Sequence, residues 1–512
     1  MFTRIGAHVA TVAPRRARPA VVTAVLCSSG LAVALVQTLV VPLLPQFPQL
    51  LHTTGSTVSW LITATLVAGA VSAPVLGRLG DMYGKRRMLL SSLVLVTAGS
   101  VLGAVAPTIG VLLVGRVLQG ASFGVIALGI SILRDELPEE RVGGGIALMS
   151  SSLGIGAAVG LPLAGVVAEV VSWRYLFLGV GLLGLALTVA VRTVVPESAV
   201  RSGGRFDLLG AVGVTLGLVC VLLPISKGSE WGWRSPVVLG LLAAAAVVFP
   251  LWGRHQLRTP GPLVDLRVTA RPALLLTNIT TVLVGFAMFA SFVMTTQILQ
   301  ASPASGYGFG LSLVAAGVAM LPMGGAMALL SPVSARISAW RGPRTTLVLG
   351  GILLVAGNLA SAALPRGLGM VIVAMTIIAI GCAMAYSALP LLVIRAVPQS
   401  ETAAANSLNT LMRQLGTSTC TAVIAAITSA MTLHAGGLAV PPRAYTIVFV
   451  VAAATALVGT ALAAVTPSAA GEDTGDDHTG SDGPGDCTTG HGGTGHGGTG
   501  HGDPARATLR AA

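Results

Sequence analysis

Gly77-Arg78-Leu79-Gly80-Asp81-Met82-Tyr83-Gly84-Lys85-Arg86-Arg87 is a short charged segment set between two long apolar runs. A degenerate copy lies far downstream. With Pro74 set against Pro332 and no gaps, Val75 falls on Val333, Arg78 on Arg336, Gly84 on Gly342 and Arg86 on Arg344. A second alignment, Pro138 on Pro398, brings Gly156 onto Gly416. The first pairs the second apolar run with the tenth, and the second pairs the fifth with the thirteenth. Both advance the helix number by the same step, which implies two parallel repeats in one chain.

The 512 residues are 54% hydrophobic and only 9% charged, too little charge to cover a soluble surface. Apolar runs of about twenty residues recur, each long enough to cross a hydrocarbon core as a helix. The fold class is therefore an all-α integral membrane protein with about fourteen transmembrane helices. The repeat divides it into a six-helix bundle at 20–192, two inserted helices at 207–253 and a second six-helix bundle at 273–466. The fourth span is expected at 109–133 and the fifth at 144–169. The net charge of +12 is dispersed in loops between apolar runs and forms no single basic face, which argues against nucleic acid as a partner.

Orientation follows from those same basic residues. With the N-terminus in the cytoplasm, only Arg174, Lys227, Arg234, Arg366 and Arg443 fall on the outer side, while Arg116 and Arg413 lie within spans. That bias places both termini in the cytoplasm. Residues 1–19 form a basic cytoplasmic segment, and the apolar run that follows is too long for a signal-peptide core. Residues 471–512 lack apolar periodicity and are expected to be disordered. His491, His496 and His501 recur at intervals of five in that tail; weak binding of a divalent metal is one reading, and a solvated tail without a ligand is the favoured one. The five cysteines, Cys27, Cys220, Cys382, Cys420 and Cys487, are isolated. No metal site and no cofactor are expected.

The segment at 77–87 resembles the signature loop of the major facilitator superfamily, between its second and third helices. Gly115-Arg116-Val117-Leu118-Gln119-Gly120 is similar to that family's fourth-helix motif with its embedded arginine. Gly156 to Gly165, reading GAAVGLPLAG, resembles the fifth-helix motif of its antiporters. The resemblance implies two six-helix bundles plus two inserted helices, as in the fourteen-helix drug:proton antiporter branch. It also implies a small-molecule substrate, protons as coupling partners, the cell membrane as the site, and drug- or antibiotic-like amphiphiles as cargo. Two departures stand out. Val36 occupies the place of a first-helix acid, and the usual Gly-Pro pair reads Gly160-Leu161, with proline displaced to Pro162.

Several residues are candidates for mechanism. Gly77, Arg78, Gly80, Asp81, Gly84, Lys85, Arg86 and Arg87 form a candidate conformational latch, with glycines for close approach and a carboxylate among cations. Arg116, Glu169 and Gln37 lie at comparable depth near the outer side and are candidates for proton coupling or a polar cavity. Arg413, near mid-membrane, is a candidate for the cavity, because embedded charges face a partner or a cavity. Gly156, Gly160, Pro162 and Gly165 are candidates for a gate on the fifth helix. Met288, Phe289, Phe292 and Met294, with Met320, Met323 and Met327, form stripes that suit either packing or varied apolar ligands. A membrane-embedded enzyme is disfavoured, since no nucleophile, phosphate loop or ligand cluster is present. An importer or non-coupled facilitator remains open, and a monomer is expected. Reporter fusions after Ala470 and near Gly55 should report opposite sides of the membrane; equal signals would contradict this topology.

Overall fold

The computed structural model describes residues 19–40, 43–44, 46–303, 307–363, 367–434 and 441–467, with backbone alone at 157, 158, 161, 168–170 and 432–434. The candidate tail histidines, the tail itself and most of the N-terminal segment lie outside the described residues. The described chain is helical throughout, with no strand among the described residues. Twelve of its helices are long and apolar enough to cross a membrane.

The long helices are α1 (Pro19–Thr38), α2 (Gly55–Tyr83), α3 (Lys85–Ala104), α4 (Ile109–Glu136), α5 (Glu139–Val170), α6 (Arg174–Val194) and α7 (Leu208–Trp231). They continue as α8 (Pro236–Arg258), α9 (Pro272–Gln300), α10 (Leu313–Arg341), α11 (Pro343–Ala362), α12 (Leu368–Arg395), α13 (Thr402–His434) and α14 (Pro442–Val465). Of these, α5 and α13 have 32 and 33 residues. At about 1.5 Å per residue, either is long enough to cross a hydrocarbon core of roughly 30 Å.

Several boundaries differ from the sequence expectation. The segment at 77–87 is not an open loop: α2 runs on to Tyr83 and α3 starts at Lys85, so Gly84 alone separates the two helices. The fourth span is two helical pieces, Ile109–Gly120 and Val125–Glu136, separated by a turn. Here α4 presses against α2. A Cβ on Gly120 would stand 2.3 Å from the Thr65 carbonyl oxygen, and the Phe123 ring occupies the space beside Gly69. The fifth helix starts at Glu139, one residue after Pro138, and not near 144. Glu139 and Glu140 sit in its first turn, where carboxylates complement the positive end of the helix dipole.

Two hydrophobic cores form. One is built largely from residues between Val22 and Val195, and the other from residues between Val284 and Ala463. The two groups of helices meet at two seams, α2 against α13 and α5 against α10. The repeat relates these seams to each other, since α10 is the counterpart of α2 and α13 that of α5. The two loops also match in detail. Gly84 and Gly342 both end their helices at positive φ, 120° and 85°, a region that glycine enters without steric cost. The Arg86 guanidinium donates to the Arg192 carbonyl at the end of α6, and that of Arg344 to the Ala464 carbonyl at the end of α14.

The inserted helix α7 lies along the α2–α13 seam, where Ala211, Val214, Leu218 and Leu222 pack with Ala70, Leu408 and Leu411. Its partner α8 leaves Val237, Leu239, Val247 and Leu251 exposed, a face suited to lipid. Asp207, outside the span, staples the pair. It accepts from the Gly210 N–H at 2.8 Å and from Gln256 Nε2 at 2.8 Å, and pairs with His255 Nε2 at 2.9 Å. Burial alone would raise its carboxyl, but these contacts hold it below the usual carboxylate range.

At the α5–α10 seam the backbones nearly touch. A Cβ on Gly317 would meet Pro162 backbone atoms at 2.7 Å. Gly317→Val should therefore force the helices apart and cost about 1–3 kcal/mol, the usual range for overpacking. Thermal unfolding in detergent should show a lowered Tm; an unchanged Tm would contradict this packing.

Candidate functional site

The segment 77–87 does not stand alone; it reaches the other half of the molecule. Asp81 is fully buried and accepts from the Ala403 N–H at 3.2 Å and the Ala404 N–H at 2.8 Å. These amides belong to the first turn of α13, whose leading N–H groups have no partner within their own helix. The carboxylate thus caps α13 from across the seam. Glycines make the approach feasible. A Cβ on Gly77 would fall 2.2 Å from Ser407 Oγ and 2.7 Å from the Ala403 carbonyl, and one on Gly80 would meet Leu128.

A polar chain extends from this cap. Lys85 Nζ, itself fully buried, lies 2.6 Å from Asp135 Oδ2 and 3.9 Å from Asp81 Oδ1. Ser198 Oγ and Gln399 Nε2 also donate to Asp135, at 2.6 and 3.2 Å. Arg134 donates to Thr402 Oγ1 at 2.6 Å, again across the seam. Glu197 accepts from the Arg86 N–H at 3.1 Å and lies 3.9 Å from Arg87 Nε. Arg78 is buried, with its guanidinium near Gly261 in the loop after α8.

At the other seam the same end of the molecule is open. A cavity of about 1300 Å³ lies among α1, the end of α4, the start of α5, and the ends of α10 and α12. Cys27, Leu31, Ser152, Ile155 and Leu391 contribute to its wall, and Arg134, Glu139, Glu140, Arg141, Arg336 and Arg395 supply charge. Its closed end coincides with the tight α5–α10 contact. Gly154 faces Met327, Gly165 faces Leu313 and Val314, and Pro162 faces Gly317. Gly156 and Gly160 turn instead to α1, against Ala34 and Thr38. The candidate gate residues therefore divide between two neighbours.

Arg116 is 2% exposed and hydrogen-bonds to the Leu61 and Val36 carbonyls at 3.2 and 2.9 Å and to Gln119 Oε1 at 2.7 Å. Gln37 is half-buried and is not among these partners. It follows Val36 by one residue, and successive side chains on a helix point about 100° apart. Glu169 lies in the last turn of α5, but its side chain lies outside the described residues. Arg413 stands over the Tyr386 ring, 5.5 Å from its centroid, in a small pocket between the halves. The methionine stripes do not line the large cavity. Met294, Met320, Met323 and Met327 are buried in the second core. No cluster of metal-ligating side chains occurs among the described residues.

Sequence reasoning did not single out Asp135, Arg134 or Ser198, which the chain contacts only once folded. A chemical signal was available at Arg134-Asp135-Glu136, a charged run ending an apolar span, but nothing in it named a partner.

Comparison with known proteins agrees with this architecture. Residues 26–421 match the model of the Major Facilitator Superfamily. A multidrug resistance protein B homolog of Mycobacterium tuberculosis is 30% identical over 319 residues, 60% of this chain and 56% of that protein. The match thus spans little more than half the length of that relative. The tetracenomycin C resistance and export protein of Streptomyces glaucescens is 29% identical over 72% of this chain and 68% of that protein. Among solved structures, the proton:xylose symporter XylE superposes with a TM-score of 0.61 at 13% identity, covering 88% of this chain and 96% of that one. With two repeat-related seams, a cavity between the halves and a family match across most of its length, this chain belongs to the Major Facilitator Superfamily of membrane transporters.

Proposed function

We propose that this transporter exports amphiphilic, drug- or antibiotic-like small molecules by proton antiport, through alternating access. The observation that carries the reading is the unequal state of the two seams. One is capped by Asp81 at the loop end, and the other is parted there by the 1300 Å³ cavity. A cavity of mixed apolar wall and charged rim suits amphiphiles. The relatives named for multidrug resistance and tetracenomycin export support the same cargo class. In this reading, which takes the basic loops as cytoplasmic, the cavity mouth opens to the cytoplasm and cargo is received from there.

In this reading the Asp81 cap is the latch. Its two hydrogen bonds hold α2 to α13, and their rupture allows the halves to rock. The repeat explains why only one seam is latched. The position of Asp81 corresponds to Ala339, which lines the cavity and offers no acceptor to α5. The proton site proposed at Glu169 lies at the opposite end of α5, where closure of the cavity would alter its surroundings.

Asp81→Asn replaces one accepting oxygen with a donor and should break the cap. Export from everted vesicles is expected to fall roughly tenfold, on the order of one hydrogen bond to a charged group, with normal membrane abundance. Wild-type export by a normally abundant variant would remove the latch. Glu169→Gln should uncouple export from the proton gradient while substrate binding stays measurable. Uphill export with an unchanged pH profile would exclude Glu169 as the carrier.

A further inference from the structure

Arg413 has no carboxylate partner and no hydrogen bond among the described residues. A guanidinium stays charged in proteins, and a charge at membrane depth is costly unless something answers it. Arg116 shows how this chain can satisfy an embedded arginine from within, with two carbonyls and an amide oxygen. Arg413 is treated differently. It is half-buried and lines a small cavity, with its guanidinium carbon over the face of Tyr386. Gly285 on α9 leaves space for its stem, since a Cβ there would lie 3.3 Å from Arg413 Cγ.

The cavity holds further unmet polar groups. Asn406 is 2% exposed and its Oδ1 has no hydrogen-bond partner; Ser150 is 3% exposed and its Oγ has none. Both line the same cavity as Arg413. Asn409 is fixed beside them, donating to Thr281 Oγ1 at 2.7 Å. Among the described residues, no acid lines this cavity, and its titratable groups are Arg413 and Tyr386. A native protein rarely leaves several buried polar groups unpaired in one place, and such a group calls for an explanation. The free volume is about 10 Å³, room for about one water. The lining, however, comes from both halves: Ile126 and Ser150 on α4 and α5, and the remainder chiefly on α12 and α13. The pocket therefore enlarges whenever the halves part.

We infer that the transported amphiphile carries an oxyanion, a carboxylate or phenolate, which Arg413 receives between the halves. An adjacent hydroxyl or N–H of the same ligand meets Asn406 Oδ1, and Ser150 can serve as either donor or acceptor. Tyr386 holds the guanidinium by its face and leaves its edge donors for the oxyanion, the geometry in which arginine recognises planar anions. This assignment rests on the export reading and narrows its cargo to acidic amphiphiles.

The test uses 9-anthracenecarboxylate and its neutral methyl ester with full-length protein in lipid nanodiscs, read by fluorescence polarisation. Wild-type protein should bind the acid roughly ten- to a hundredfold more tightly than the ester, the scale of a charge-assisted hydrogen bond. Arg413→Gln should abolish that preference with ester affinity nearly unchanged. Arg413→Lys, which keeps the charge and guards against a misfolded glutamine variant, should retain part of the preference. Equal binding of acid and ester by wild-type protein, binding of neither, or equal loss of both in Arg413→Gln would overturn the assignment. Export of the two probes from everted vesicles separates the two claims. Uphill export with no acid preference overturns the role of Arg413 alone, whereas failure to export either overturns the export reading.

Discussion

A carboxylate from one half of the molecule capping a helix of the other is the interaction on which the remainder depends. Asp81 gives both its oxygens to the first turn of α13, inside protein, where no water replaces them. The orphan N–H groups of a helix start and the positive end of its dipole both favour an anion there. Lys85 balances the charge and passes it to Asp135, which in turn draws in Ser198 and Gln399. Gly77 serves this contact, since any side chain there would strike Ser407, while Gly80 makes room for Leu128 of α4 in the same half. The second repeat keeps the turn glycine and the arginine that binds the neighbouring helix end, but has Ala339 in place of the acid. One half of the duplication thus carries a cap, and the other borders a cavity.

The inserted helices extend the same logic. At the loop end, α7 and α8 are stapled by Asp207, and at the far end α7 is fastened to α2. There Lys227, fully buried, lies 3.0 Å from Glu230 Oε2 and 5.1 Å from the Trp60 ring centroid, while Ser56 and Ser59 donate to Glu230 at 2.8 Å each. Against α13, α7 presents apolar contacts through Leu408 and Leu411. Polar fastening to α2 and apolar contact with α13 make α7 a companion of the first half. It covers the outside of the capped seam, with apolar packing as its contact to α13 among the described residues.

Much of this was legible in the sequence. Apolar run lengths gave helices, the Pro74–Pro332 register gave the duplication, and the charged segment at 77–87 pointed to residues that lie at the capped seam, although it is a single-residue turn between two helices and not a loop. What escaped was whatever depends on a distant partner. The loop's glycines and acid mark a close approach, but not that α13, more than three hundred residues away, is what they approach. The break in α4 at Ala121–Gly124 was hidden because an apolar run reads alike whether its backbone is continuous or not. Gln37 was grouped with Arg116 by depth alone, although depth does not fix azimuth, and the arginine bonds to the Val36 carbonyl instead. Arg413 was visible as a charge within a span, but its stacking on Tyr386 without a hydrogen bond among the described residues is a fact of the folded molecule.

The central claim is that the Asp81 cap holds one seam closed while the other stands open. Spin labels at Tyr83→Cys on α2 and Ser400→Cys before α13, in a background without native cysteines, would measure that seam directly by pulsed dipolar spectroscopy. The account expects one short-distance population with Asp81 present, and a second, longer population with Asp81→Asn. An identical distance distribution in the two proteins would contradict it.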